Sequence, residues 1–195
     1  MNEIKLTDRE MPQAKRIGKG SPLAEALAAN GFFLRKFNKD LPKEVRYRSH
    51  EEFIVKFGRT YTPRPFPAKY RKWEGEPQAC LYNAADLALA FPDLEYAEGF
   101  ALHADPRIDY PVEHAWCVDP CGNVIDPTWH VKVGREYFGL AMDKDILREQ
   151  HQRNFPFGLI FNPQFFDDVA SGKTKGWKRV LAKQKAADPK GNLPS

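Results

Sequence analysis

Cysteine is scarce: three residues in 195, an odd number, too few for a disulfide scaffold and leaving at least one thiol free. Long apolar runs are missing as well. No stretch approaches the roughly 20 residues of a membrane span, and the opening MNEIKLTDRE is polar where a secretory signal carries its apolar region. These shortages set the expectation of a cytoplasmic protein with no membrane partner. Repeats and low-complexity tracts are absent, so the chain does not read as an array. Excess charge is small, with Lys+Arg 30 against Asp+Glu 26 and a formal net charge of +4. Part of that excess sits in the N-terminal stretch, where Lys5, Arg9, Lys15, Arg16 and Lys19 outnumber Glu3, Asp8 and Glu10. The basic pI therefore reports on a polar end more than on a basic groove.

What is present is a globular composition, 42% hydrophobic and 29% charged. A chain of this size buries roughly 70% of its unfolded surface, enough for a core without staples. The expected organisation is a flexible tail over 1–20, one α+β domain over 21–182 with its chemistry at 77–141, and a second flexible tail over 183–195.

Local signals divide the domain. Ser21, Pro22 and Glu25 have the order of an N-cap, a first helical residue and an early acid, predicting a helix to about Asn30 that Gly31 ends. Ser49, the acids Glu51 and Glu52, and Gly58 bracket a second helix ending at Phe57. TYTPRPFPAKYRKWEGEP is too proline-rich for regular structure and reads as a long aromatic loop. A Leu/Ala-rich helix is expected from Pro77 to Phe91, stopped by Pro92. In LEYAEGFAL, larger residues (Tyr96, Phe100, Leu102) alternate with small ones (Ala97, Gly99, Ala101), as in a strand whose small-residue face lies against a helix. VEHAWCV, the turn DPCGN and VIDPTW form a hairpin pattern. A strand over 136–141, a helix begun by Asp143, a strand-like FGLIF and a last helix from Asn162 and Pro163 to Gly172 complete the chain. Strands in hairpin order after a helix argue for α+β.

Three residues carry the chemistry: Cys80 near a helix start, His114 in one hairpin strand and Asp126 in the other. A thiol of ordinary pKa is only a few per cent ionised at neutral pH, and a helix N-terminus favours its thiolate. On a strand, His114, Trp116 and Val118 share one face, with Val124, Asp126 and Thr128 as the matching set. Pairing 118 with 124 across the turn makes Asp126 a diagonal neighbour of His114, able to fix its tautomer.

Cys80 at a helix start, then His114-Ala115-Trp116, then a glycine-bearing turn and Asp126-Pro127-Thr128, resembles the core of the transglutaminase-like branch of the papain-fold cysteine enzymes, whose chain order is Cys, His, Asp. The resemblance covers roughly 77–129. It implies a papain-like core of one helix packed on an antiparallel sheet, here with an N-terminal helical and Pro-rich extension. It further implies a cysteine hydrolase or acyltransferase that passes an amide-linked acyl group through a thioester. Cys80 would be the nucleophile, His114 the base and Asp126 the orienter, acting on a protein, peptide or small amide without metal or organic cofactor. For the oxyanion, the family suggests the Cys80 backbone N–H together with either Gln78, since papain-like enzymes place a Gln ahead of the nucleophile, or Trp73, since some transglutaminases use an upstream aromatic N–H.

The same residues admit other readings. Asn83, on the helix face of Cys80, either touches substrate or packs. Trp116 and Trp129 either wall a substrate cleft or belong to the core. His114, Cys117, Cys121 and His130 offer zinc-type ligands, but strand parity turns Cys117 away from His114 and leaves Cys121 in the turn. His50, His103, His130 and His151 have no comparable partners in the sequence and read as surface or core. The stretch Arg59 to Trp73 reads as a gate over the thiol, or alternatively as a basic-aromatic surface for single-stranded nucleic acid. A papain-like fold with an inert triad, serving as a binding protein, is the remaining alternative.

Overall fold

The computed structural model describes residues 21–37, 47–152 and 158–170. The two expected tails, 1–20 and 183–195, lie outside the described residues. The architecture is α+β: a curled antiparallel sheet of five strands with helices packed on its outer face. In chain order the elements are α1 (Pro22–Phe37), α2 (His50–Phe57), β1 (Arg59–Tyr61), a 3-10 helix (Ala68–Trp73), α3 (Cys80–Ala90), β2 (Glu95–Leu102), β3 (Val112–Val118), β4 (Val124–Ile125), β5 (Glu136–Met142), α4 (Lys144–Gln152) and α5 (Pro163–Ala170).

Side-chain caps start the helices where the sequence places them. Ser21 Oγ accepts the Ala24 amide at 3.0 Å, and Ser49 Oγ accepts the Glu52 amide at 3.1 Å. Asn162 Oδ1 accepts the Phe165 amide at 3.2 Å. Helix α2 runs to Phe57 with Gly58 as its C-cap, as expected. Helix α1 departs from expectation by running through Gly31 to Phe37. Gly31 meets the backbone of Glu52 where α1 crosses α2, so tertiary packing holds helix at a residue whose intrinsic preference ends one. The proline-rich stretch is also less irregular than expected, since Tyr61 closes β1 and Ala68–Trp73 forms the 3-10 turns.

The strand order is β1-β5-β2-β3-β4. Curling brings the two edges together: Thr62, just past β1, bridges Asn123, and the Val124 amide donates to Thr62 O at 2.9 Å. The hairpin register is the expected one, Val118 facing Val124. Residues on alternate positions therefore point either into the curl or out to the helices.

The inner set is Tyr61, Ala97, Ala101, Trp116, Val118, Val124, Tyr137 and Ala141. The outer set, including Tyr96, Phe100, Ala115, Cys117 and Leu140, packs under Leu23, Leu27, Ala84, Leu87 and Ala88 of the helices. This corrects the reading of β2, whose large residues lie under the helices and whose small residues face the interior of the curl. Volume explains it, because the fully buried indole of Trp116 occupies that interior. A Cβ on Gly139 would lie 2.7 Å from the Trp116 ring, so β5 needs glycine there.

Where it is described, the FGLIF segment is not a strand. Its described part, 158–161, is a turn tied down by Glu98. Helix α5 begins at Pro163 as expected, and Gly172, its expected end, lies outside the described residues. No helix among the described residues is long and apolar enough to cross a membrane.

Candidate functional site

Helix α3 begins at Cys80, later than the Pro77 that the sequence suggested. Gln78 takes a left-handed φ of 65°, which breaks the chain direction just ahead of the helix and leaves Cys80 as its first residue. The backbone ladder of α3 starts with the Asn83 amide donating to Ala79 O at 2.9 Å, so the amides before it belong to the unsatisfied first turn and carry the positive end of the helix dipole. The Cys80 thiol is half-buried, whereas Cys117 is buried and Cys121 exposed. Alanines 84, 85 and 88 bring the helix axis close to the sheet. Cys117 donates its S–H to Ala84 O at 3.1 Å, marking that contact one turn beyond Cys80.

His114 and Asp126 meet on the inner face of the sheet. His114 Nε2 lies 2.7 Å from Asp126 Oδ2, with 2% of the histidine and 1% of the aspartate exposed. The Cys80 thiol lies close enough to the His114 imidazole to help raise it. With Nε2 committed to the carboxylate, Nδ1 is the nitrogen left for the thiol. The structure thus brings together one residue from a helix start, one from β3 and one from the segment after β4.

Asp126 is held as an anion by a ring of donors. Oδ1 accepts the amides of Thr128 and Trp129, each at 2.9 Å, and Oδ2 accepts the Tyr137 hydroxyl at 2.7 Å besides His114. Burial works against the charge, but His114 and these donors hold the carboxyl below its ordinary value. Burial likewise pushes the His114 imidazolium down. The Asp126 carboxylate and Cys80 outweigh it and bring the group up to about 9. Burial drives the Cys117 thiol well above its ordinary range, which leaves it a small core residue.

Aromatic rings enclose the pair. The Trp129 indole stacks on the His114 imidazole with centroids 4.0 Å apart and planes 15° apart. Trp116 lies nearly parallel to the same imidazole at 6.4 Å. Trp116 is completely buried, so it supports His114 from within and does not wall a cleft.

The remaining expected site residues part company. Asn83 packs: its Nδ2 donates to Glu76 O at 2.7 Å and to Thr128 Oγ1 at 3.0 Å, tying the entry to α3 to the loop that carries Asp126. Gly75 makes that possible, since a Cβ there would lie 2.1 Å from the Asn83 side chain. Gln78 is exposed beside Cys80. The Trp73 ring packs edge-on against Phe91, the residue that follows α3.

The zinc-type ligands do not converge, because Cys117 faces the helices and Cys121 lies in the exposed turn. His130 Nδ1 donates to Pro127 O at 2.9 Å, and His50 packs against Phe161 and Phe166. His103 accepts the Asp105 amide at 3.0 Å. The side chain of His151 lies outside the described residues. In the 59–73 stretch Arg59 lies over Tyr61, while the exposed Arg64 donates from Nε to Asn123 Oδ1 at 3.1 Å and the exposed Lys69 pairs with Asp93.

Two participants escaped the sequence reading. Tyr137 was only a strand residue there. Glu98 is fully buried on β2 and accepts the amides of Leu159, Ile160 and Phe161 and the Tyr96 hydroxyl. Its signal was an acid in the middle of the apolar run YAEGFAL, on the face it shares with Tyr96 and Phe100. Glu98 anchors the 158–161 turn against Leu81, the neighbour of Cys80. No family model matches the chain, and neither a curated protein nor a solved structure shows significant similarity to it.

Proposed function

We propose that this protein is a cysteine-dependent acyl-transfer enzyme with a papain-like, transglutaminase-like core. One observation carries the reading: His114 is bonded to a buried, multiply donated Asp126 and has beside it a half-buried thiol at the first residue of α3. An imidazole so placed takes the thiol proton, and both Asp126 and the helix N-terminus favour the resulting thiolate–imidazolium pair.

Cys80 Sγ then attacks the carbonyl carbon of an amide. The carbonyl π electrons move to oxygen, and the Cys80 backbone N–H supports the oxyanion. Gln78, exposed and two residues before Cys80, is the preferred second donor, with Trp73 as the alternative. Collapse breaks the carbon–nitrogen bond, His114 gives its proton to the departing amine, and a thioester remains. A second acceptor, water or an amine, loses its proton to His114 and attacks the thioester to regenerate the thiol. Water makes the protein a hydrolase and an amine makes it a transferase, with a protein, peptide or small amide as acyl donor. The cytoplasmic setting expected from the sequence suits a chemistry that needs a reduced thiol.

The test is labelling by iodoacetamide at pH 6 with mass-spectrometric mapping. Cys80 is expected to react first and selectively, and His114→Ala to abolish the selectivity. Equal, slow labelling of Cys80 and Cys121 with no dependence on His114 overturns the reading in favour of an inert binding fold. With an acyl substrate in hand, Asp126→Asn is expected to lower turnover by about 10⁴ by spoiling the tautomer.

A further inference from the structure

Asp126 Oδ2 is shared by two donors, His114 Nε2 and the Tyr137 hydroxyl, each at 2.7 Å. A phenol has a single hydrogen. The Tyr137 oxygen accepts the Gly134 amide at 2.9 Å, so its own hydrogen is directed to Asp126. The ring packs against Trp116 and Trp129, contacts a phenylalanine would also make; the hydroxyl is the part that engages the carboxylate.

We propose that Tyr137 is a positioning residue for the Cys80–His114 pair: by donating to the carboxylate oxygen that His114 also uses, it sets how much negative charge Asp126 offers the imidazolium, and so the pH at which His114 gives up its proton. This rests on the acyl-transfer reading of Cys80. The Tyr137 ring also lies 6.1 Å from the His114 ring, a contact phenylalanine keeps, so it is the hydroxyl that acts through Asp126.

Burial, and then the Asp126 charge, keep the Tyr137 phenol protonated far above neutrality, so it remains a donor wherever the pair works. The titratable groups that face this chain are His114 and, across the strand, Cys117 of β3, Cys80 of α3 and Tyr137 of β5. Removing the phenolic donor leaves the carboxylate more charge-dense and its grip on the imidazolium stronger. A hydroxyl that only satisfied the Gly134 amide would change stability and leave this balance alone.

Iodoacetate distinguishes the two. As an anion it is drawn to a thiolate beside an imidazolium, and its reaction at Cys80 slows once the imidazolium loses its proton, which gives an alkaline limb. Tyr137→Phe is expected to move that limb upward, by up to about one pH unit. A ring-fluorinated tyrosine installed at position 137, a stronger donor of nearly the same shape, is expected to move it downward. Opposite shifts support the proposal. Limbs that stay in place while the thermal midpoint falls overturn it and leave Tyr137 as packing. If Tyr137→Phe does not fold, the fluorinated variant decides by its own shift. Failure of the acyl-transfer reading looks different: the wild-type protein then shows no limb that His114→Ala removes, and both proposals fall.

Discussion

The indole of Trp129 covers one face of the His114 imidazole, with 4.0 Å between centroids and 15° between planes. An ion pair or hydrogen bond weakens when water raises the local dielectric, so a ring laid over the His114–Asp126 contact preserves it. Trp129→Ala is expected to cost about 2 kcal/mol of stability for a half-buried aromatic. It should also slow selective alkylation of Cys80 by roughly tenfold to a hundredfold through loss of ring orientation. Trp129→Phe should recover most of the rate. Alkylation kinetics and denaturant midpoints measured together check both parts; a stability loss with an unchanged rate would remove the shielding role.

The buried histidine makes stability depend on pH in a definite direction. His114 is brought up to about 9 in the fold against an ordinary 6.5. Folding therefore gains from its protonation fully below about pH 6.5, and that gain disappears as pH rises through about 9. The change amounts to roughly 3 kcal/mol. Urea unfolding at pH 6 and at pH 9.5 should show the decline, and His114→Gln should flatten it. A wild-type stability constant across that window would contradict the arrangement of charges described here.

Glu98 offers a separate check on the region beside the thiol. Glu98→Ala strands three amides of the 158–161 turn and the Tyr96 hydroxyl, and should cost about 3 kcal/mol or more. Glu98→Gln keeps one acceptor oxygen and should cost less. Burial raises the Glu98 carboxyl above its ordinary value, despite its four donors. Its contribution is therefore largest below the ordinary carboxylate range and declines as pH rises through the folded value, a dependence Glu98→Gln should remove. Chemical denaturation of the three proteins at pH 4.5 and pH 7 gives the comparison.

Gly75 and Asn83 should behave as one unit. A Cβ at Gly75 falls 2.1 Å from the Asn83 side chain, and the Gly75 amide donates to Pro127 O at 2.9 Å. Gly75→Ala must therefore displace either the Asn83 link to Thr128 or the backbone contact next to Asp126. The expected cost is about 1–3 kcal/mol. In an Asn83→Ala background the same substitution should cost clearly less, giving a coupling energy in a double-mutant cycle. Additive costs would mean that the two residues act independently.

Much of the local structure could be read before any fold was known. Ser49 and Gly58 bracketed α2, Ser21 and Asn162 supplied caps, and the DPCGN turn set Val118 opposite Val124. These features depend on neighbours within a turn or two of chain, where backbone sterics and one side-chain hydrogen bond decide the outcome. The same locality placed Cys80 at a helix start and His114 on the face shared with Trp116.

Errors came where distant segments meet. Helix α1 crosses α2 at Gly31, so packing overrides a helix-ending preference. The small residues of β2 face inward because Trp116, from another strand, takes up the interior. Residues 158–161 form a turn because Glu98 binds the amides of Leu159, Ile160 and Phe161. In each case the deciding partner lies far away in sequence, where periodicity and propensity carry no information.

The chain alone therefore determined the residue types and their order, a thiol, an imidazole and a carboxylate on a helix and a hairpin, because residue identity and strand parity are local properties. Only tertiary structure decided that the sheet curls until Thr62 reaches Asn123, that Trp129 folds back over His114, and that Tyr137 arrives at Asp126 from β5. Those contacts depend on how buried volume and buried hydrogen-bond donors are matched across the whole molecule, and no window of sequence contains both sides of the match.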